Sequence, residues 1–318
     1  MSDTGRSAKW RSLVDKLPPG QTIAMWLFVF SPAIVMAFQI AEHAVNIPVW
    51  DDWERVELLK RYHAGELDLA YLLAPHIEHR LFFPRLAILA LNEMSGGDLR
   101  WEMGLTFCVM LGYAVLLILL IRRTIGRDSW VFGLSFLINL LVFSPIQYQN
   151  FLWAIQLAFV LPLLGLAWCI WVMTHPTMSL PRKLAFSFAG AALATLSFGH
   201  GLFVWLVPLG LGILLHGFTR NLKWRWVFVG IWILLSTEVG VWYFSWNFEN
   251  VSAPSHAYGQ DVGDIPPAIA NLGTETADFE AKWRFFLGLL GHPLARTFVH
   301  WHEDSTVMAV SYTHLRAH

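Results

Sequence analysis

The chain has 318 residues, of which 56% are hydrophobic and only 14% are charged, and its formal net charge is -1. A soluble globular protein carries about a quarter charged residues, so this composition excludes a soluble enzyme. The near-neutral charge also provides no basic surface for nucleic acid. With 17 Trp, 23 Phe and a mean hydropathy of +0.49, the composition predicts an all-α, polytopic membrane protein.

Apolar stretches of near-spanning length recur along the chain. They predict seven transmembrane helices and a truncated eighth, at about 22–44, 102–121, 129–145, 152–173, 184–198, 202–216, 225–246 and 285–299. The fifth and sixth are short, but Arg182 and Lys183 precede this pair, and Lys223 and Arg225 follow it. Because both basic flanks favour the cytoplasm, the pair is predicted to cross the membrane twice.

Lys and Arg cluster on alternate sides of the predicted spans. The positive-inside rule therefore places the N-terminus in the cytoplasm, and the first span is predicted to be a retained signal anchor. The long segment 45–101 then lies outside the cytoplasm, as does an acidic stretch rich in Pro and Gly at about 248–281. Residues 310–318 break an apolar run abruptly and are predicted to be a non-native readthrough tail. The domain before it, 1–309, is predicted to lack its natural C-terminal part.

The segment 45–101 is too polar to span a membrane and too regular to be disordered. One helix is predicted from about Trp50 to Gly65, and a second from Pro84 to about Met94. The first helix has an apolar stripe that suits a position on the membrane surface, formed by Trp53, Val56, Leu59 and Tyr62.

Two adjacent acids, Asp51 and Asp52, lie at the start of the first of these helices. A carboxylate held where an apolar span meets water can act as a general base and take the proton of an attacking hydroxyl. Two neighbouring acids in a partly desolvated site also tend to separate their pKa values. The structural alternative is a capping box, in which Asp51 and Glu54 cap the first turn. The two interpretations are compatible, because Asp51 can cap while Asp52 acts.

A second motif begins at His76 and reads His-Ile-Glu-His-Arg, with Arg85 five residues beyond its end. Its Arg80, together with Arg85, is a candidate for holding a lipid phosphate, because guanidinium donors match phosphate oxygens. Interfacial anchoring is the alternative. His76, Glu78 and His79 permit a divalent metal, but zinc sites on helices use i,i+4 spacing, so no metal or cofactor is predicted.

Further polar groups lie at the predicted outer ends of spans. Gln149, Asn150 and His200 are candidates to line a sugar pocket through hydrogen bonds, and capping of loops and helix ends is the alternative. Trp153 is predicted to belong to an interfacial aromatic belt rather than to a sugar-stacking surface. Both cysteines fall in apolar runs and predict neither a disulfide nor a metal site.

The sequence Trp50-Asp51-Asp52-Trp53-Glu54, together with the His76 motif, Phe83-Pro84-Arg85 and Phe198–Leu202, resembles bacterial membrane proteins of the GT-C glycosyltransferase type. That superfamily includes protein O-mannosyltransferases and the lipid A aminoarabinose transferase. The resemblance implies a polyprenyl-phosphate-linked sugar as donor, inversion at the anomeric carbon, and a general base at Asp51 or Asp52. The candidates for substrate binding are Glu54, His76, Glu78, His79, Arg80, Arg85, Gln149, Asn150 and His200.

The predicted function is transfer of a sugar to an unidentified acceptor in the cell envelope, at a bacterial inner membrane whose lipid surrounds the protein. Two alternatives stay open: a transporter or flippase of lipid-linked saccharide, and a non-catalytic partner in envelope polysaccharide assembly. Transporters place ionisable groups near mid-membrane, whereas the predicted span interiors here contain almost none. This difference favours a site outside the cytoplasm.

Overall fold

The computed structural model of the chain describes residues 19–76, 79–125, 130–215 and 221–245. In chain order its helices are α1 (Pro19–Val29), α2 (Ser31–His43), α3 (Arg55–Ala64), α4 (Leu69–Leu73), α5 (Phe82–Ser95), α6 (Arg100–Ile125), α7 (Trp130–Val142), α8 (Tyr148–Leu152), α9 (Leu157–Met173), α10 (Leu180–Thr195), α11 (Leu206–Leu214) and α12 (Leu222–Phe244). Short 3₁₀ turns cover Trp50–Glu54, Pro145–Gln147, Ala154–Gln156 and Gly199–Trp205. Two short strands, β1 (Pro75–His76) and β2 (His79–Arg80), pair as an antiparallel hairpin.

Four helical stretches are long and apolar enough to cross a membrane: Arg100–Ile125, Trp130–Leu152, Ala154–Met173 and Leu222–Ser245. Helices α1 and α2 together make a fifth if their 55° bend lies within one span. The described chain is therefore all-α and has the helices of a multi-pass membrane protein.

The predicted count of seven spans is not confirmed. The helices at the predicted fifth and sixth spans are α10 and the stretch Gly199–Leu214, and both are shorter than the roughly 20 residues that a span needs. Three predicted features lie outside the described residues: the eighth span, the acidic stretch at 248–281 and the tail at 310–318.

The bend between α1 and α2 has a local cause at Pro32. Proline has no N–H to donate to the carbonyl four residues earlier, which belongs to Phe28, and its ring crowds that carbonyl. The hydroxyl of Ser31 donates to the same carbonyl at 2.8 Å. The side chain thus replaces the hydrogen bond that the backbone cannot make, and the apolar segment bends without leaving this carbonyl unbonded.

The stretch Ala154–Met173 lies at the centre of the bundle. In its most apolar 18-residue segment, 61% is buried inside the protein, whereas the buried share is 22–28% in the other three long spans. It packs against α6 and α10. One apolar core, which contains Met36, Met103 and Phe151, joins α2 and α6 to this central helix, and a second, built around Trp205 and Trp232, joins it to α10, α11 and α12.

Helices α9 and α10 approach closely because glycines face each other. A Cβ atom at Gly165 would lie 2.5 Å from the carbonyl oxygen of Gly190, and a Cβ at Gly190 would lie 2.7 Å from the Trp168 ring and 3.0 Å from Cys169 Sγ. No added side chain fits at either position. Small residues at a helix contact let backbones approach closely, which is the main packing device within a membrane.

Residues 44–99 form a helical segment between α2 and α6, here called the first loop. The two predicted helices are confirmed as α3 and α5, and each ends at a glycine with a left-handed backbone, Gly65 at φ 70° and Gly96 at φ 66°. The histidine motif between them is not helical: His76 and His79 are cross-strand partners in the hairpin. The two histidines therefore do not lie on one face of a helix, and the spacing of zinc ligands on helices does not apply to them.

We expect Gly190→Ala to destabilise the protein by about 1–3 kcal/mol, because a methyl group there overpacks the α9–α10 contact. The matched control is Gly133→Ala in α7, where an added Cβ meets nothing within 4 Å. It should be neutral or stabilising by up to about 1 kcal/mol, the helix preference of Ala over Gly. Melting temperatures of the detergent-solubilised proteins test this, and equal shifts for both variants would contradict the close contact.

Candidate functional site

A cleft lies between the first loop, the start of α6 and the turn at Ala154–Gln156. Its charged lining consists of four carboxylates and two guanidinium groups: Asp51, Asp52, Glu54, Glu102, Arg55 and Arg85. The volume of the cleft is about 30 Å³. By the same measure, a cavity needs about 10–15 Å³ to hold one water molecule. The cleft therefore accommodates a few water molecules or a hydroxyl group, but not a sugar ring.

Asp52 is the best-fixed carboxylate of the cleft. It is 4% exposed, its Oδ2 accepts the N–H of Val49 at 3.1 Å, and its Oδ1 accepts the N–H of Ile155 at 2.9 Å. The alternative in which Asp51 caps this turn does not apply, because the capping oxygen belongs to Asp52, the third residue of the 3₁₀ turn, whose side chain reaches back to Val49. Asp51 is exposed and lines the cleft beside it.

Burial raises the pKa of Asp52 above its usual 3.8, even though both N–H bonds and the nearby Arg55 act in the opposite direction. Desolvation disfavours the charged form of a carboxyl, and here it outweighs the groups that stabilise that form. A raised pKa makes the ionised carboxylate a stronger base. Asp52 thus combines fixed orientation, access to a cleft and enhanced basicity.

A buried ion pair forms the deep side of the cleft. The Nη2 of Arg55 lies 2.5 Å from Glu102 Oε1, and the two side chains are 8% and 3% exposed. Neither residue is among the candidates that the sequence motifs predict. The sequence does contain a pattern that predicts an ion pair here: Glu102 is an acid in the first turn of an apolar span, where an ionised group needs a partner.

Two arginines that were predicted to bind phosphate are buried and donate to main-chain carbonyls. Arg85 lines the cleft, and its Nη1 donates to the carbonyls of Tyr71, Leu72 and Ala74 at the end of α4. Burial lowers the pKa of Arg85, but a guanidinium remains charged at any physiological pH. The side chain therefore brings a positive charge to the cleft while it caps a helix end.

Arg80 is not part of the cleft lining. It is 0% exposed, donates to the carbonyls of Leu73 and Tyr243, and stacks on the ring of Trp242 at 4.3 Å. It therefore joins the hairpin to the end of α12.

The remaining histidine candidates fall into two places. His76 is buried, and its Nδ1 lies 2.5 Å from Glu54 Oε2 at the edge of the cleft. His79 packs on the ring of Phe198 at 3.7 Å, and the exposed His200 lies 5.1 Å from the same ring. Glu78 lies outside the described residues. His76 therefore lies beside the cleft, whereas His79 and His200 lie around the ring of Phe198, in the turn after α10.

The polar residues between the third and fourth predicted spans bond among themselves. Gln149 donates to the hydroxyl of Tyr148 at 3.3 Å, and Asn150 donates to Gln147 Oε1 at 3.2 Å. Neither Gln149 nor Asn150 lines the cleft. The residue of this region that does belong to it is Ile155, through its backbone N–H to Asp52.

Trp50, which precedes the two aspartates, has a strained backbone. Its φ of 47° makes it the one non-glycine residue with a positive φ in the described ranges. This conformation costs an L-residue roughly 1–2 kcal/mol. The Trp50 ring meets Trp153 edge to face at 5.3 Å, and Trp153 Nε1 donates to the carbonyl of Val49 at 3.2 Å. Such strain persists where the surroundings fix it, often at binding sites.

These observations define an all-α protein with membrane-spanning helices and a charged cleft beside its first loop. No family model, curated protein or solved structure matches the chain. The described residues also contain no group of three His, Cys, Asp or Glu side chains suited to a metal ion. The resemblance to GT-C enzymes therefore rests on the sequence motifs and stays a prediction.

We expect Glu102→Gln to destabilise the protein strongly, by about 3–5 kcal/mol, because it leaves the buried Arg55 guanidinium without its counter-charge. The double variant Arg55→Leu/Glu102→Leu should recover most of this loss, since it removes both buried charges. Asp98→Asn is the control, because Asp98 pairs with Arg100 at the exposed start of α6 and its loss should change little. Melting temperatures test the series. A double variant less stable than Glu102→Gln would contradict the argument.

Proposed function

We propose that the protein is a GT-C-type glycosyltransferase in which Asp52 is the general base. The observation that carries this proposal is the Asp52 carboxylate, which is buried, fixed by two N–H donors, and in contact with a cleft of hydroxyl size. A candidate base needs correct geometry first and a suitable pKa second; the fixed carboxylate of Asp52 supports the first requirement, and the upward shift of its pKa supports the second. Asp51 is the exposed neighbour, to which we assign a lesser role.

The chemistry follows from this placement. The acceptor hydroxyl enters the cleft and donates its proton to Asp52, while its oxygen attacks the anomeric carbon of the donor sugar. The bond from that carbon to the phosphate oxygen breaks, and polyprenyl phosphate leaves with the bonding electron pair. The products are a glycosidic bond with inverted configuration and a protonated Asp52, which returns its proton to water.

The charge of the cleft favours a donor phosphate that lies outside it. Four carboxylates line the cleft against two guanidinium groups, and Arg55 is already paired with Glu102. This excess of negative charge disfavours a phosphate in the interior. Arg85 lines this cleft and its Nη1 is already bonded to three carbonyls, so we assign it an electrostatic attraction of the donor phosphate toward the cleft entrance and no direct bond. Arg80, outside the cleft, is assigned to holding the end of α12 in place.

The contacts of the first loop support the predicted seven-span topology with an extracytoplasmic site. The first loop contacts Ile155 near the start of the fourth predicted span, Phe198 at the end of the fifth, and Tyr243 near the end of the seventh. In that topology these three places all lie on the side opposite the cytoplasmic N-terminus. The short α10 and Gly199–Leu214 stretches then cross the membrane as a pair.

We expect Asp52→Asn to reduce sugar transfer by about 10²–10⁴-fold, the usual contribution of a general base. The assay uses the protein in lipid nanodiscs with polyprenyl-phosphate-linked sugars and envelope glycan acceptors. Asp51→Asn should reduce transfer less, and Glu57→Gln, which removes an exposed ion-pairing carboxylate of α3, should leave it unchanged. Asp52→Glu, which keeps a carboxylate, should be more active than Asp52→Asn if both fold. Full activity in folded Asp52→Asn would remove the base assignment.

The pH profile tests the same assignment independently. The base acts only when ionised, so transfer should fall as pH decreases through the pKa of Asp52. Because burial raises that pKa, the acid limb of the profile should lie above the ordinary aspartate range. A limb at or below pKa 3.8 would contradict the proposed environment. Movement of labelled lipid-linked sugar across the membrane without any transfer would instead identify the flippase alternative.

A further inference from the structure

We propose that Trp50 and Trp153 form the binding surface for a sugar ring at the mouth of the cleft. This inference rests on the proposed function and deepens it. The cleft accommodates only a hydroxyl-sized group, so a sugar whose hydroxyl or anomeric carbon reaches Asp52 has its ring outside the cleft. The surface that borders the mouth therefore determines how the ring is held.

Each tryptophan is close in sequence to a residue that lines the cleft, and neither indole is itself part of the lining. Trp50 directly precedes Asp51, which lines the cleft, and Trp153 is two residues from Ile155, which also lines it. The rings meet edge to face at 5.3 Å with an interplanar angle of 81°, and Trp50 is 68% exposed. The two rings thus form a corner with an open aromatic face, and such a face packs against the C–H groups of a sugar ring.

Membrane anchoring is the competing explanation for exposed tryptophans, and two observations favour the sugar. An anchoring indole directs its N–H toward water and headgroups, whereas Trp153 Nε1 donates to the backbone carbonyl of Val49 in the first loop. Trp50 also retains a left-handed backbone at φ 47°, a strain that a side chain with no fixed target does not require. The apolar stripe of α3, which includes the exposed Val56, remains available for contact with lipid.

The experiment measures the affinity that the sugar ring itself contributes. The wild-type protein in lipid nanodiscs is titrated calorimetrically with a ten-carbon prenyl phosphate and with the same lipid carrying glucose, mannose or galactose. We expect at least one sugar-bearing lipid to bind about tenfold more tightly than the sugar-free lipid, a ratio that corresponds to about 1.4 kcal/mol. Absence of any such preference in the wild type would overturn the inference.

Trp50→Gly separates sugar binding from folding. Glycine adopts a positive φ without strain, so the variant should be as stable as the wild type or more so, yet it should lose the sugar preference and keep its affinity for the sugar-free lipid. Trp153→Phe keeps a smaller ring and should lose part of the preference. Trp130→Ala, which removes an exposed indole at the start of α7, is the control and should change neither affinity.

The outcomes distinguish this inference from the proposed function. Transfer by the wild type with an unchanged sugar preference in Trp50→Gly would overturn the sugar surface and leave the transferase intact. A Trp50-dependent preference without any transfer would support the surface and remove the transferase. If Trp50→Gly kept the sugar preference but changed how strongly brominated lipids quench the tryptophan emission, Trp50 would be a membrane anchor and the inference would fail.

Discussion

One carboxylate of the first loop bonds both to its own turn and to a distant part of the chain. Asp52 accepts an N–H from Val49 in its own turn and another from Ile155, 103 residues later. A bond to a buried carboxylate is stronger than a neutral hydrogen bond, because one partner is charged and water does not compete. The bond from Trp153 to Val49 reinforces it. Together they place the two loops against each other and define the mouth of the cleft.

The sequence predicted those parts of the fold that follow from local physics. Apolar stretches of spanning length identified the long helices, and the glycines at 65 and 96 marked the ends of α3 and α5, because each adopts a left-handed backbone. The hairpin at His76 was not predicted, since two-residue strands have no periodicity to detect. The short helices α10 and α11 are ambiguous for a related reason: length alone does not separate a short span from a buried helix.

The sequence motif named some residues of the cleft but did not predict which side chains pair with each other. The acids after the first span and Arg85 do line one cleft, as the motif suggested. The bond from the N–H of Ile155 to Asp52 joins residues more than 100 positions apart, and no local pattern encodes it. The pairing of Arg55 with Glu102 is likewise a long-range contact. Arg80 and Arg85 donate to backbone carbonyls. Because every residue has a backbone carbonyl, the sequence does not indicate which ones an arginine will bond.

One question is whether a carboxylate that holds two loops together can also act as a base. Each carboxylate oxygen has two acceptor positions, and the two N–H bonds use one on each oxygen, so a proton can still be accepted. Those bonds alone would weaken the base by stabilising its charge, but burial acts more strongly and in the opposite direction, so the pKa of Asp52 is raised. The hydrogen bonds therefore fix the orientation of the carboxylate, and the desolvated surroundings supply its basicity. The edge of a membrane bundle provides both conditions, because apolar helices exclude water on one side while the loops leave a narrow opening on the other.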